Sequence, residues 1–262
     1  MRLKAIALAL FALFILPSAA GAALTQAQSA LAEVDPPSHA RAPLGLAFVD
    51  DAGHSTTLGA ALAGKPALLI FADWRCTNLC GPALALTRVG LDRSGLRAGR
   101  DFRVVAIGLD PAQGPSDARA MRQREIASDP AVNRVSVFLS GNAAAIRAAT
   151  SAFGYRYVRD PTTGQFAHLA DAFVLAPSGK LTDVLSEIDL TGPELREALN
   201  EAKSGGASSS FDPIRILCHG FSTANGLWNG DAERGTWVAI AVTALFFLGL
   251  AFAVRSRRKG GP

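Results

Sequence analysis

Between residues 43 and 203 the hydrophobic pattern alternates between two kinds of segment. Three unbroken apolar runs, "KPALLIFAD" (65–73), "DFRVVAIGLD" (101–110) and "VSVFLS" (135–140), are flanked by charged or turn-forming residues. Such runs predict strands buried on both faces of a sheet. Between and after them come segments with helical spacing. The stretch after the first strand continues through Leu84, Leu86, Val89 and Leu91, with Pro82 early in the helix, where a proline is tolerated. "SDARAMRQREI" (116–126) predicts a helix capped by Ser116, and "GNAAAIRAATSAFGYRY" (141–157) one that closes near Gly154. "TGPELREALNEAKSGG" (191–206) predicts an amphipathic helix capped by Thr191 and ended by Gly205 and Gly206. Two hairpins frame the set. "APLGLAFVDDAGHSTTL" turns at Asp51–Gly53, and "DAFVLAPSGKLTDVLS" at Pro177–Gly179. Strands alternating with helices argue an α/β sandwich with parallel pairing, finished by a hairpin.

Both ends of the chain break this pattern. "MRLKAIALALFALFILPSAAGAAL" has a basic start at Arg2 and Lys4, a short apolar run, Pro17, and a small-residue cleavage candidate at Ala20–Ala22. That is the layout of a secretory signal peptide, taken as 1–22. A flexible leader rich in Ala, Ser and Pro follows over 23–42, before a domain at 43–203. "SGGASSSFDP" opens a linker and juxtamembrane segment, 204–235. The stretch from Trp237 to Val254 carries no charge, and Arg255, Arg257, Arg258 and Lys259 follow it. This predicts a transmembrane helix over 236–254 and a basic cytoplasmic tail over 255–262. The positive-inside rule then places the C-terminus in the cytoplasm and the domain on the far side; the expected location is the cytoplasmic membrane of a bacterium, with the domain in the periplasm.

The two hydrophobic ends account for a mean hydropathy of +0.23 in a chain that is 49% hydrophobic. Charge changes the picture further. The formal net charge is +4, but six cationic residues sit in the two end segments, which leaves the exported domain at −2. A slightly acidic domain gives no footprint for nucleic acid.

The candidate chemistry lies in "FADWRCTNLCGPALALT" (71–87), where Cys76 and Cys80 follow a buried strand and adjoin the next helix. A helix N-terminus favours thiolates. The pair admits three readings: a structural disulfide of an oxidised compartment, a thiol–disulfide redox pair, or a metal site. A redox pair at this junction is usually Cys-x-x-Cys, and this one has an extra residue. A thioredoxin-like site also carries a proline just before the strand that faces the cysteines. "GQFAHLADAFVL" has His168 at about that place instead. Two thiolates and an imidazole suit a soft ion, copper(I) or zinc, and three ligands suit copper(I) better than a structural zinc that wants four. Asp73 serves either to orient the site or, as preferred here, to cap the next helix. Asp110 turns the chain before Pro111. Cys218 and His219, in "ILCHGF", are a further thiol and imidazole before the span, while His39 and His54 are isolated.

"FADWRCTNLCGPALALT", "VVAIGLDPAQGPSDARAM", "VFLSGNAAAIRAATSAFGYRY" and "FAHLADAFVLAPSGKLTDVL", in that order, resemble the SCO/SenC family, thioredoxin-fold copper proteins of cytochrome c oxidase assembly. The resemblance implies a thioredoxin-like domain with copper as cofactor, held by Cys76, Cys80 and His168. It implies a metallochaperone whose partners are the copper-bearing subunit of the oxidase, or another copper protein, and a thiol reductant. The alternative it leaves is an exported thiol–disulfide reductase acting through Cys76 and Cys80. The sequence departs from the family's usual pattern in having Thr77 after the first cysteine, Gly81 after the second with Pro82 one place later, and an expected anchor at the C-terminal rather than the N-terminal end.

The cationic cluster after the apolar run sets a topology that fusions can read. A reporter active only outside the cytoplasm should be active when fused after Lys203 and silent when fused after Pro262; the reverse pattern contradicts the orientation.

Overall fold

The structure is a computed structural model that describes residues 31–76, 80–160, 164, 166–187, 189–191, 193–205 and 243. Its strands are β1 (Glu33–Val34), β2 (Ala47–Asp50), β3 (Ser55–Thr57), β4 (Ala67–Ala72), β5 (Arg103–Gly108), β6 (Ser136–Ser140), β7 (Tyr155–Arg156), β8 (Val158–Arg159), β9 (Phe166–Ala167), β10 (Ala172–Leu175) and β11 (Leu181–Leu185). Its helices are α1 (Leu58–Leu62), α2 (Cys80–Arg93), α3 (Pro115–Glu125), α4 (Pro130–Arg134), α5 (Ala143–Ala152) and α6 (Pro193–Lys203), with a 3-10 turn at Asp189–Thr191.

Seven strands form one sheet in the order β11-β10-β4-β5-β6-β2-β3. The three unbroken apolar runs are its parallel centre, β4–β5–β6, and the two predicted hairpins are its antiparallel edges. The centre is apolar throughout because both faces are covered. Along β4, Leu68, Ile70 and Ala72 join one core with Val104, Phe138, Leu84 and Leu199, while Ala67, Leu69 and Phe71 join the other with Val105, Leu139, Phe153 and Phe173. This is the two-residue alternation of a strand with a helical layer on each side. Each large aliphatic side chain so buried contributes roughly 1.5–3 kcal/mol.

One cap differs from expectation. The N-cap of α3 is Gly114, and Asp117 reaches back to the Gly114 N–H at 3.0 Å, so Ser116 is already inside the helix. Thr191 is the last residue of the 3-10 turn, two positions before α6 begins at Pro193. Asn142, by contrast, caps α5 by accepting from Ala145 N at 2.9 Å.

The segment expected as a flexible leader is docked wherever it is described. β1 pairs antiparallel with β7, Asp35 N donates to Gly154 O at 3.0 Å, Arg156 pairs with Glu33, and Arg41 bridges to Lys180. Gly154 allows this crossing. Its φ is +59°, and a Cβ there would lie 1.8 Å from the Asp35 carbonyl oxygen. The expected signal peptide, the linker beyond residue 205 and the expected span lie outside the described residues, apart from Thr243. Among the described residues no helix is long and apolar enough to cross a membrane.

Because Gly154 joins a left-handed backbone to a close crossing, Gly154→Ala should destabilise the domain by roughly 1–3 kcal/mol. Urea unfolding of the variant against the parent measures it; an unchanged midpoint would mean that the leader does not dock on β7.

Candidate metal centre

The sheet register decides which loops meet. β10 runs antiparallel to β4 with Ala172 opposite Ile70, so the residues that precede β10 emerge at the end of the sheet where the chain leaves β4. Asp73–Cys76 and His168–Asp171 are therefore neighbours despite their separation in sequence. The short β8–β9 hairpin delivers His168 to this edge, immediately after Ala167.

The turn carrying Cys76 is pinned by the three residues before it. Cys76 N donates to Asp73 O at 3.0 Å, which closes the turn. The buried Asp73 carboxylate accepts from Arg75 N at 3.0 Å and from Gln113 Nε2 at 2.6 Å. It holds this turn and does not cap α2, which begins at Cys80; the expectation of a helix cap fails because the chain makes a separate turn first. Trp74 is buried against Phe138, with ring centroids 5.3 Å apart, and donates Nε1–H to Ser140 Oγ at 3.3 Å. Its indole lies over Gly108, where a Cβ would come within 2.4 Å of Nε1. Arg75 grips Asp117 of α3 with two bonds of 3.0 and 3.2 Å, a fork that raises the guanidinium's pKa and lowers the carboxylate's. Asp110 accepts from Ala112 N at 2.9 Å, the turn expected before Pro111.

Cys76 is buried, 9% exposed, and lines a cleft of about 490 Å³ with Trp74, Arg75, Pro82, Asp117 and Arg124. Cys80 is the first residue of α2. Its side chain lies outside the described atoms, so the structure brings together Cys76 and His168 but leaves the third expected ligand untested. Among the described residues no group of three or more His, Cys, Asp or Glu side chains forms a metal cage. Cys218 and His219 lie outside the described residues, and His54 stands at the surface beside Asp50, 3.4 Å away.

His168 Nδ1 lies 2.9 Å from the Leu169 carbonyl oxygen and 2.9 Å from Tyr155 Oη. Burial pushes the imidazole pKa down; the bond to Leu169 and the negative charges of Cys76 and Asp73 pull against it. That Cys76 and Asp73 act on His168 at all follows from the meeting of the two loops. A neutral imidazole beside a thiol offers a lone pair without a proton to displace, which suits a soft cation. Trp74, Gln113 and Tyr155 are supports that sequence reasoning missed. The signal for Trp74 was an aromatic two places before a cysteine; for Tyr155 it was a tyrosine directly after the helix-closing Gly154.

Asp171, three residues on from His168, is buried, and its pKa is raised to about 7 by burial first, then by Asp189 and Glu187. Asp189 is itself fastened by Ser186, whose N and Oγ donate to it at 3.1 and 2.7 Å.

A family model described as SCO1/SenC matches residues 39–203, more than half of the chain. The search of solved structures returns, with a TM-score of 0.54 and 19% identity, a chain titled a putative electron transfer protein from Aquifex aeolicus VF5, over 64% of this chain and 95% of that one. BsSco, titled a member of the Sco family of cytochrome c oxidase assembly proteins with a disulfide switch, matches with a TM-score of 0.51 and 18% identity, over 65% of this chain and 96% of its own. Arabidopsis thaliana ScoI with copper bound matches with a TM-score of 0.50 and 16% identity, over 60% of this chain and 96% of its own. The comparison with curated proteins returns no match. The shared fold is the thioredoxin-like one: a central β4–β5–β6 sheet with antiparallel edges and helices on both faces.

Two outcomes follow from these contacts. Asp73→Ala leaves the buried Gln113 Nε2 with only a 3.5 Å contact to Asp110 and removes the acceptor for Arg75 N, so it should destabilise the domain by about 1–3 kcal/mol in urea unfolding. No loss would mean that the turn is held by Trp74 and Arg75 alone. For Asp171 the folded pKa lies above the unfolded value of about 3.9. Its contribution is thus fully present below about pH 4 and is lost as pH rises through about 7, at up to about 1.4 kcal/mol per pH unit. Asp171→Asn should flatten that slope and raise stability at pH 8 relative to pH 5. Parallel pH profiles for parent and variant would show Asp171 to be ionised throughout.

Proposed function

Since the chain belongs to the SCO1/SenC family, we propose that it is a membrane-tethered copper metallochaperone. Its exported domain takes up copper through Cys76, Cys80 and His168 and delivers it to, or matures, the copper centre of cytochrome c oxidase. The observation that carries the reading is the meeting of Cys76 and His168 at one end of the sheet, from loops brought together by the β4–β10 register. Arabidopsis ScoI, similar in fold, has copper bound, and BsSco is a member of the Sco family of cytochrome c oxidase assembly proteins, which supports carrying both the metal and the partner over.

The donor set fits the cargo. Thiolate is soft, imidazole is intermediate, and a site of two sulfurs and one nitrogen satisfies copper(I) without closing its coordination sphere. An open position at a domain edge lets a recipient's ligand enter before the donor's has left. The thiols must be reduced to hold the ion, so loading depends on a thiol reductant. BsSco, in which a disulfide switch has been identified, supports that coupling.

A second reading rests on the cleft beside Cys76, into which a partner's sulfur can approach. In a thiol–disulfide reductase, one cysteine of the pair attacks the partner's disulfide. The other then closes the Cys76–Cys80 disulfide and releases the partner reduced by two electrons. That chemistry has no use for His168.

Copper stoichiometry separates the readings. The reduced full-length protein in detergent should bind about one copper(I) per chain; Cys76→Ser and His168→Ala should lower affinity by orders of magnitude. Copper binding that survives Cys76→Ser would sink the metal site. Unchanged binding in His168→Ala, together with reduction of a partner disulfide, would favour the reductase.

A further inference from the structure

Three polar atoms beside the proposed ligand form a closed triangle. Tyr155 Oη is 2.7 Å from the Leu169 carbonyl oxygen and 2.9 Å from His168 Nδ1, and Nδ1 is 2.9 Å from the same carbonyl. A carbonyl oxygen only accepts, and a phenol has one hydrogen to give. If Tyr155 gives it to Leu169, Nδ1 must be the donor, sharing its hydrogen between the carbonyl and the phenol oxygen. If Nδ1 were unprotonated, its lone pair would face the carbonyl lone pair at 2.9 Å, and the phenol could satisfy only one of the two. The arrangement in which each of these three contacts has a donor and an acceptor is the Nδ1–H tautomer, whose lone pair is on Nε2.

We infer that Tyr155 is the positioning residue of this site: its hydroxyl, closing the triangle with Leu169 and His168 Nδ1, holds the imidazole in the Nδ1–H tautomer and in one orientation, so that Nε2 is the nitrogen offered to the metal. The inference deepens the proposed function and rests on His168 being a ligand.

Tyr155 is placed to do this by packing unrelated to the metal. Its ring is buried against Phe71, with centroids 4.7 Å apart, and against Phe173 at 5.9 Å, so the hydroxyl cannot swing away. Its backbone lies in β7, pinned by β1 through the Val34–Tyr155 pairing and the Glu33–Arg156 ion pair. The docked leader is therefore part of the support. A ligand histidine whose second nitrogen is held by an outer partner typically binds metal 10–100-fold more tightly than one whose partner is removed. Tyr155→Phe keeps the ring and its packing and deletes only the hydroxyl.

The test uses the full-length reduced protein with 15N-labelled histidines. In the apo wild type, the His168 resonances, assigned by their disappearance in His168→Ala, should show a protonated Nδ1 and an unprotonated Nε2. Tyr155→Phe should mix the tautomers and weaken copper(I) affinity at least about tenfold, with a melting temperature close to the parent's. A wild-type Nε2–H tautomer overturns the inference. So does a Tyr155→Phe protein with parent-like tautomer and parent-like affinity. Should that variant not fold, the wild-type spectrum alone decides. Should His168→Ala keep parent-like copper binding, the ligand assignment fails, while the tautomer comparison still tells whether Tyr155 orients the ring.

Discussion

The antiparallel pairing of β4 with β10 is the constraint on which the site depends. β4 is six residues, all buried, wedged between β5 and β10, so its end point in the sheet cannot drift without exposing or clashing one of the two cores. A one-residue slip would turn Leu68 and Ile70 into the space of Leu69 and Phe71, exchanging two well-packed layers. Register fixed in this way also fixes where the chain leaves β4 and where it enters β10. The hydrophobic pattern of the core thus sets the approach of a thiol and an imidazole from distant parts of the sequence.

Register brings the loops together; it does not aim the side chains. That is done twice, by separate means. On the cysteine arm, Asp73, Trp74 and Arg75 reach in three directions, to Gln113, to Ser140 over Gly108, and to Asp117. On the histidine arm, an aromatic box of Phe71, Phe173 and Tyr155 holds a hydroxyl against the imidazole. The two arms share Phe71, whose neighbours along β4 and beyond are the cysteine turn itself. A shift of either arm therefore presses on the same strand end, and under the proposed function a pair of donors supported in this way would lose little conformational freedom when the cation joins it.

Much of this was legible in the sequence because burial on both faces leaves an unmistakable signature. "KPALLIFAD", "DFRVVAIGLD" and "VSVFLS" are continuous apolar runs of strand length, and they are the three parallel strands. The hairpins were read from Asp51–Gly53 and Pro177–Gly179, where turn chemistry is local. What was not legible is tertiary. Ser116 satisfies the helix-cap rule by type, yet α3 is capped by a glycine because Asp117 supplies the back-reaching carboxylate while also holding Arg75. The leader reads as loose from its Ala, Ser and Pro content, yet two residues of strand and one permissive glycine suffice to seat it on β7. Cys76 and His168 were suggested by residue type and by their places next to strand ends; Tyr155 and Gln113 act through distances that no spacing encodes.

Two of the departures of this chain from its family's usual pattern, Gly81 and Pro82, lie in the first turn of α2. The start of α2 lies against the end of α3: a Cβ on Gly81 would fall 2.8 Å from Glu125 Oε1. A larger residue there would have to move that carboxylate, the free end of a flexible side chain, which costs little. The proline that the family often has at this place stands at Pro82 instead, still within the first turn of α2, where an N–H would find no intrahelical partner and its loss is harmless. The same α3 holds the incoming turn through Asp117 at its first turn and meets the outgoing helix through Glu125 at its last residue. One helix of eleven residues thus spans the two exits of the cysteine loop.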